Sequence, residues 1–329
     1  MSSLGTIHPK LVYQGYNTAV YLEKAGGNLN KISCSSLSFS TTANLLSSNA
    51  SYAGALNINL TRNLGVSAPF KLDFPEVSCS LTFEPTYHQL KNILDWLKER
   101  NDYAKLTIKN GDDDIEFDEC YLQSMSLNVS KDQLLTVTIN LYIREEYHQA
   151  IHSIGGMKEY PDKNANSDDY PVGGIETLWK NDEALVPYYV TGLKTNGLGN
   201  YIDHRVSGWS VTFSHNILKK TFCRGIRNNA IHEKSAPLPD YVMFGPLIID
   251  ATFNVFTGDE SVDHDDLLFF VQFVNNTMTD KEKSIEFRTY NEKLFDLSLF
   301  MLNSITPNVG DMHDVYSVDI GMNAYGLDI

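Results

Sequence analysis

The sequence predicts a mainly β protein made of two tandem β-sandwich or β-barrel domains, each with one packed α-helix. Three observations lead to this prediction: the length, an ordered internal repeat, and the alternation of apolar residues within the repeated segments. The chain has 329 residues, of which 42% are hydrophobic and 11% are aromatic, and this composition is sufficient for a full core. At about 100–200 residues per domain, the length indicates two domains.

The repeat begins with two serine-containing segments and continues into two further segments that alternate. KISCSSLSFSTTAN, which starts at Lys31, aligns with RVSGWSVTFSHNIL, which starts at Arg205, at an offset of 174. FPEVSCSLTFEP, which starts at Phe74, aligns with FGPLIIDATFNV, which starts at Phe244, at an offset of 170. Apolar residues alternate in both copies, and this pattern predicts strands with one buried face.

A helix follows these strands in both halves. Apolar residues recur at helical spacing across Leu90–Leu97 and again across Leu267–Val274, so each segment predicts an amphipathic helix that faces a core. Closing strands come next, and their alignment pairs Val137 with Val318 at an offset of 181. Five elements therefore recur in the same order, which indicates a tandem duplication.

A segment rich in Gly, Pro, Asp and Asn separates the two copies. We expect a first domain over residues 1–148, a linker over 149–186 and a second domain over 187–329. The central part of the linker, 155–175, should be mostly exposed. The stretch LVPYYVTGL, which starts at Leu185, predicts the strand that opens the second half.

Charge, targeting patterns and cysteine spacing argue against several classes of protein. The chain has 41 acidic and 26 basic side chains. This net charge of −15 argues against tight binding of nucleic acid, because phosphates are bound by Lys and Arg. No apolar run approaches the ~18 residues of a transmembrane helix, and the start of the chain shows no signal-peptide pattern. The four cysteines are too widely spaced for a zinc site and are expected to be reduced, buried thiols: Cys34, Cys79, Cys120 and Cys223.

No catalytic signature motif occurs, and each polar cluster has a structural interpretation. The run Asp259–Asp265 lacks the glycine and glutamate of a calcium loop and is expected to cap the second helix. Gly111–Asp114 is expected to form a hairpin turn. Glu145, His148 and His152 would face together on a helix, but they lack further ligands and predict a solvated face. We therefore expect no enzyme activity, no cofactor and no bound metal.

One basic segment stands out in the acidic chain, and it contains Lys219, Lys220, Arg224 and Arg227. Two interpretations stay open. The segment is a solvated loop, or it is a contact between subunits, because a local basic patch suits binding to copies of an acidic protein.

The long loops after the first strand of each repeat, 45–72 and 219–243, are expected to make the contacts between rings of subunits. Loops longer than about 12–15 residues in a compact domain usually have a function. In the first loop Leu56, Ile58 and Leu60 alternate with polar residues, so this stretch could add as a strand to an adjacent subunit.

In its order of elements the sequence resembles the tail-tube proteins of tailed bacteriophages and related contractile injection systems. The segments that carry the resemblance are KISCSSLSFS with its long loop, FPEVSCSLTF, the helix at Leu90–Leu97 and LLTVTINLYI, each with its second copy. The resemblance implies two tail-tube folds in one chain, so that three copies imitate a hexameric ring. Such rings stack into a tube through which DNA passes without specific binding, and a wall of negative charge suits that passage.

The resemblance also implies partners and a location. The implied partners are copies of the chain itself and other tail proteins, such as a tail terminator, a tape measure or a hub. The resemblance implies no membrane anchor. It places the protein in the virion tail, after assembly in the cytoplasm of the bacterial host. Two alternatives stay open: a hub, distal-tail or tail-tip protein that forms a single trimeric ring, and a carbohydrate-binding β-sandwich. For the latter, the candidate aromatic residues are Tyr188, Tyr189, Tyr201 and Trp209, although alternation places Trp209 in the core.

Overall fold

The computed structural model describes residues 18–24, 29–32, 34–42, 45–48, 68–71, 76–98, 102–110, 113–144, 151–153, 185–196, 206–220, 241–256, 283–289, 292–308 and 317–329. Within these residues the chain forms sixteen β-strands, one α-helix and one short 3-10 helix. The predicted mainly β fold is thereby confirmed.

The first half of the chain supplies ten of these strands and the α-helix. In chain order they are Thr18–Lys24 (β1), Leu29–Ile32 (β2), Cys34–Thr42 (β3), Leu45–Ser48 (β4), Ala68–Lys71 (β5), Glu76–Phe83 (β6), Tyr87–Lys98 (α1), Tyr103–Asn110 (β7), Asp113–Ser130 (β8), Thr136–Ile143 (β9) and Ile151–Ser153 (β10). The strand and the helix predicted over 77–83 and 90–97 are confirmed.

The second half supplies six strands and the 3-10 helix. They are Tyr188–Val190 (the 3-10 helix), Thr191–Asn196 (β11), Val206–Lys220 (β12), Tyr241–Phe256 (β13), Ser284–Thr289 (β14), Glu292–Asn308 (β15) and Ser317–Asp328 (β16). The strand expected from Leu185 begins only at Thr191, because Tyr188–Val190 forms the 3-10 helix. The second predicted helix, Leu267–Val274, lies outside the described residues.

The two halves pair their strands in the same order. In the first half the order is β1-β7-β8-β9-β6-β3, and in the second half it is β11-β14-β15-β16-β13-β12. Every one of these pairs is antiparallel. The strands of the sequence repeat therefore occupy the places of their counterparts, and β7 and β14 correspond as well, although the repeat did not include them. The boundaries of the two domains and of the linker stay a prediction.

Both halves belong to one sheet. β8 of the first half pairs with β12 of the second, and this contact joins fourteen strands into a single sheet, with β4 and β5 as a separate pair. The hydroxyls of Ser126 and Thr212 hydrogen-bond across the junction at 2.9 Å. The expected pair of separate sandwiches or barrels is therefore linked by continuous backbone pairing, which we call the internal junction.

The register of the first two segments agrees with the sequence alignment. Leu37 opposes Leu81 across β3 and β6, and Val211 opposes Ala251 across β12 and β13. These four residues correspond at the offsets of 174 and 170. The pairing of the two segments is therefore the same in both halves.

The strand register changes the offset of 181 that the sequence alignment gives for the closing strands. Phe83 opposes Val137 across β6 and β9, but Phe253 opposes Ile320 rather than Val318 across β13 and β16. Val137 therefore corresponds to Ile320, at an offset of 183 instead of 181. Side chains in a strand alternate with a period of two, so both alignments place apolar residues on the same face, and the pattern alone cannot separate them.

The core lies on one face of the sheet and is rich in aromatic residues. Trp209, Phe213 and Phe253 are each less than 5% exposed, so the expected core position of Trp209 is confirmed. The Phe287 ring lies 4.4 Å from Phe295 and 4.9 Å from Trp209, between ring centroids. Buried residues from both halves form one continuous hydrophobic cluster.

Helix α1 begins with a reciprocal cap and turns its apolar face to the core. The Thr86 backbone N–H donates to Gln89 Oε1 at 3.0 Å, and the Gln89 backbone N–H donates to Thr86 Oγ1 at 3.3 Å. Leu90 and Leu94 are among the buried residues of its predicted apolar stripe. The Tyr87 hydroxyl also donates to the Glu292 carboxylate, so the helix contacts the second half.

Two local structures differ from those that the sequence predicts. His152 lies in strand β10 and opposes Asp114, so the expected helical face with Glu145 and His148 is wrong for this residue. β10 has this place because β8 extends beyond β9 and leaves an edge that a short strand can pair. The ends of the predicted loops 45–72 and 219–243 are strands instead, because β4 and β5 occupy 45–48 and 68–71, β12 runs to Lys220 and β13 starts at Tyr241.

Candidate functional site

Eight strands lie side by side across both halves and expose a polar face opposite the core. Their order is β3-β6-β9-β8-β12-β13-β16-β15, with four strands from each half. The residues of the polar face are Ser36, Ser38, Ser40, Ser78, Ser80, Thr82, Ser124, Ser126, Asn128, Thr136, Thr138, Asn140, Ser210, Thr212, Ser214, Asp250, Thr252, Asn254, Ser304, Thr306, Asp319 and Asn323.

Side chains on this face hydrogen-bond from one strand to the next. In the first half and at the internal junction the pairs are Thr82–Thr138 at 3.1 Å, Asn140–Ser124 at 2.8 Å and Ser126–Thr212 at 2.9 Å. In the second half the pairs are Ser210–Thr252 at 2.8 Å, Asn254–Asp319 at 2.6 Å and Asn323–Asp250. The bonds hold the hydroxyl and amide groups in an ordered layer along the sheet.

The charge of the polar face is low and of one sign. Asp250 and Asp319 are its acidic residues, and no Lys or Arg belongs to the set given above. A shallow groove of about 320 Å³ over β3, β6, β9 and β8 is lined mainly by serine hydroxyls, with Gln123 and Asn140. A surface of this kind offers a phosphate chain no cationic partner.

The eight strands end in two different open edges. Among the described residues, β3 pairs only with β6, and residues 302–308 of β15 pair only with β16. The counterparts of these two edges are β12 and residues 124–130 of β8. Those counterparts pair with each other at the internal junction. Within the described residues, one junction is therefore closed internally, and the two halves of a corresponding junction stay open.

Burial of the apolar residues reflects this difference. Leu127 and Val211 lie at the internal junction, and both are 0% exposed. Their counterparts at the open edges, Ile305 and Leu37, are only partly buried. The open edges therefore expose apolar surface that the internal junction covers.

Beyond the internal junction, β12 leaves the sheet because β7 occupies the edge of β8. β12 pairs with residues 124–130 of β8, whereas β7 pairs with residues 113–121 along the same edge of β8. Residues 215–220 of β12 and 241–247 of β13 continue as a two-stranded extension. We call this extension the second arm.

The second arm covers part of a row of tyrosines on the first half, namely Tyr142 and Tyr121. Tyr103, Tyr121 and Tyr142 lie next to each other on β7, β8 and β9, with neighbouring ring centroids 6.1 and 6.4 Å apart. From the arm, Lys219 Nζ lies 4.6 Å from the centroid of the Tyr142 ring, and the Phe244 ring lies 5.8 Å from Tyr121. Tyr142 is consequently only 5% exposed.

The corresponding surface of the second half is uncovered. At the offset of 183, Tyr142 corresponds to Tyr325, which is 63% exposed. Ile248 and Met301, on the strands beside it, are 50% and 38% exposed. We call these three residues the apolar patch. The sequence alignment missed it because the offset of 181 does not bring the two tyrosines together.

The predicted contact residues are only partly within the described chain. Lys219 belongs to strand β12 rather than to a loop, because β12 and β13 stay paired beyond the sheet. Lys220 is the last residue of β12 and opposes Tyr241. The other predicted contact residues lie outside the described residues: Leu56, Ile58, Leu60, Arg224 and Arg227.

Three of the cysteines are free thiols within or near the core. Cys79 and Cys120 are buried, and Cys34 is half-buried at the open edge of β3. Burial raises the pKa of Cys34 to about 12. Burial, followed by the nearby Cys34, raises the pKa of Cys79 to about 12. These thiols are therefore protonated at neutral pH and weakly nucleophilic. Cys223 lies outside the described residues.

Other candidate sites from the sequence are resolved in part. Asp113 and Asp114, which are predicted to lie in the hairpin turn, instead belong to β8, where Asp113 opposes Asn110. Gly111 and Asp112 lie outside the described residues. Tyr189 is 59% exposed, and its ring packs edge-on against Tyr188, whereas Trp209 is buried in the core, so these residues do not form one aromatic groove. Tyr201, Asp259–Asp265 and the central linker lie outside the described residues.

The described residues show neither a cluster of metal ligands nor a membrane-spanning helix. No group of three or more His, Cys, Asp or Glu side chains among them is placed to hold a metal ion. No helix among them is long and apolar enough to cross a membrane.

Comparisons with known proteins give weak structural likenesses. No protein-family model matches the sequence, and no curated protein matches it. Among solved structures, a chain from the virion of a native gene transfer agent particle is similar with a TM-score of 0.28 and 11% sequence identity. The match covers 42% of this chain and 92% of that chain. A TM-score of this size does not establish a shared fold.

Proposed function

We propose that this protein is a structural, non-enzymatic protein whose copies assemble edge to edge into rings that stack as the tail tube of a phage-like virion. Three copies form each ring, and DNA passes through it. The observation that carries the proposal is the pair of open edges, because their counterparts already pair with each other inside the chain. The sequence resemblance supplies the number of copies and the virion context.

Open strand edges favour association. An open edge presents unpaired backbone N–H and C=O groups and is a template for another strand. Here the two edges differ, since one belongs to β3 and the other to β15. The β3 edge of one copy therefore suits the β15 edge of the next copy, and a ring closes when no edge is left over.

The internal junction predicts the register between copies. There, Val211 opposes Leu127, and Thr212 opposes Ser126. The same register applied to the open edges places Leu37 opposite Ile305, and Ser38 opposite Ser304, of the next copy. Pro307, which has no backbone N–H, limits the pairing to residues before it.

The polar face suits the inner wall of such a tube. The set of polar-face residues given above carries hydroxyl and amide groups, two carboxylates and no Lys or Arg. Lys219 and Arg144 lie beyond this set, at Tyr121 and Tyr142. A wall with the composition of the set repels phosphates weakly and provides no Lys or Arg to hold them. DNA can therefore slide along it without specific binding.

Sedimentation velocity and negative-stain microscopy across a concentration series test the proposal. We expect a monomer at low concentration, then trimeric rings, and then stacked tubes. A monomer at every concentration would contradict the assembly. Rings that never stack would favour the hub, distal-tail or tail-tip alternative over the tube.

A further inference from the structure

The apolar patch interrupts an otherwise polar surface. Tyr325 and Ile248 are exposed by 63% and 50%, and Met301 by 38%. The patch lies on β13, β16 and β15, next to residues that bond as hydroxyl, amide and carboxylate groups. Exposed apolar residues that lie together usually mark an interaction site.

The first half shows what covers such a surface. Tyr142, the counterpart of Tyr325, lies beneath the second arm, where Lys219 and Phe244 contact the tyrosine row. That arm belongs to the half that joins the first half at the internal junction. The occupant of the apolar patch should therefore be the corresponding arm of whichever half joins at the β15 edge.

The first half contains such an arm in β4 and β5. Leu45 opposes Lys71 in this hairpin. Their counterparts, at offsets of 174 and 170, are Lys219 and Tyr241, which are within one residue of opposing each other in the second arm. We call the β4–β5 hairpin the first arm. The two arms follow corresponding strands, β3 and β12, in chain order.

We infer that the first arm of one copy covers the apolar patch of the next copy. The inference rests on the proposed ring, and it adds a second contact beside the paired edges. Leu45 stands at the sequence position of Lys219, so an apolar residue replaces a cation where the covered surface changes from tyrosines to Tyr325, Ile248 and Met301. A cationic arm residue therefore accompanies a surface of tyrosines, and an apolar arm residue accompanies the more aliphatic apolar patch.

A photo-cross-linker at the patch tests this contact in the full-length protein. Tyr325 is replaced by p-benzoylphenylalanine, the assembled fraction is irradiated, and cross-linked peptides are identified by mass spectrometry. We expect cross-links to residues 45–48 or 68–71 of another copy. The same replacement at Tyr189, which is 59% exposed but lies outside the patch, is the matched control and should not reach that hairpin.

A charge substitution gives an independent measurement. Because Tyr325 is exposed in the single chain, Tyr325→Glu should leave the far-ultraviolet circular dichroism and unfolding midpoint unchanged. We expect it to raise the concentration needed for rings about tenfold, as a loss of about 1.4 kcal/mol would. Tyr189→Glu should leave that concentration unchanged.

The outcomes separate the two proposals. Normal rings from Tyr325→Glu, or cross-links from assembled rings to a different segment, would overturn the arm contact and leave the edge-paired ring intact. Absence of rings from the unmodified protein at every concentration would overturn the ring, and with it this contact.

Discussion

Tyr142 and Tyr325 occupy corresponding places in the two halves, yet one is 5% exposed and the other is 63% exposed. Their strands have the same neighbours in the same order. The difference comes from what lies over them, since the second arm covers Tyr142 and nothing among the described residues covers Tyr325 in the same way. The chain thus shows one junction complete and one junction open, and the complete junction predicts how the open one is filled.

The largest expected effect comes from truncating one apolar residue at each junction. Leu127→Ala should cost about 2–5 kcal/mol in the free energy of unfolding, because Leu127 is fully buried at the internal junction. Ile305→Ala should cost about half as much or less in the dilute chain, since Ile305 is only partly buried. Urea unfolding at low protein concentration measures both values, and equal losses would contradict the proposed difference between the two junctions.

The next effect concerns the second arm. Lys219→Gln removes the cation from the face of Tyr142 and should cost about 0.5–1 kcal/mol of unfolding free energy. Lys194→Gln, at an exposed position of β11, is the matched control and should be close to neutral. Thermal unfolding of the two variants makes the comparison. If both variants melt alike, the arm contact does not stabilise the chain.

A smaller effect tests the register between copies. Ser38 and Ser304 are both exposed, and the proposed register places them opposite each other in neighbouring copies. Lys at both positions should oppose assembly by about 0.2–1 kcal/mol per contact, whereas Ser38→Lys with Ser304→Glu should favour it by a similar amount. Sedimentation at low and moderate salt compares the two double variants. Identical assembly at low salt would reject this register.

The smallest effect concerns the thiol at the β3 edge. The pKa of Cys34 is raised from its ordinary value of 9.0 to about 12, so the folded chain disfavours the thiolate. Below pH 9 the thiol is neutral in both states and its contribution to stability is constant, and that contribution is lost as the pH rises from about 9 to about 12. Alkylation at pH 8 should be slower in the native chain than in urea, and slower still in rings. A native rate equal to the unfolded rate would contradict the burial.

Much of the fold follows from the sequence because burial on one face imposes regular patterns. The stripe from Leu90 to Leu97 predicts helix α1, and the alternation in Val77–Phe83 predicts strand β6. These residues face a single core, so their spacing records their local structure directly. The pairing order of the two halves also agrees with the order of the repeated segments.

The register of the closing strands and the arms could not be predicted in the same way. Val318 and Ile320 are both buried on one face of β16, so a shift of two residues leaves the apolar pattern unchanged. Lys219 lies in the part of β12 that has left the large sheet. There the strand no longer has one face on the core, so its polar and apolar residues no longer alternate. The apolar patch depends on both features, and it became visible only when the paired backbone fixed the offset at 183.

The inequality of the two open edges has a consequence for growth. A surface that matched itself would saturate in a twofold dimer and stop, whereas β3 and β15 make a head and a tail, so a single contact between two copies leaves one of each unpaired. In the proposed assembly, every incomplete chain of copies would retain one head and one tail, whatever its length. The curvature of the eight strands would then decide the number of copies at which growth ends, because only the bend of the sheet brings the last tail back to the first head.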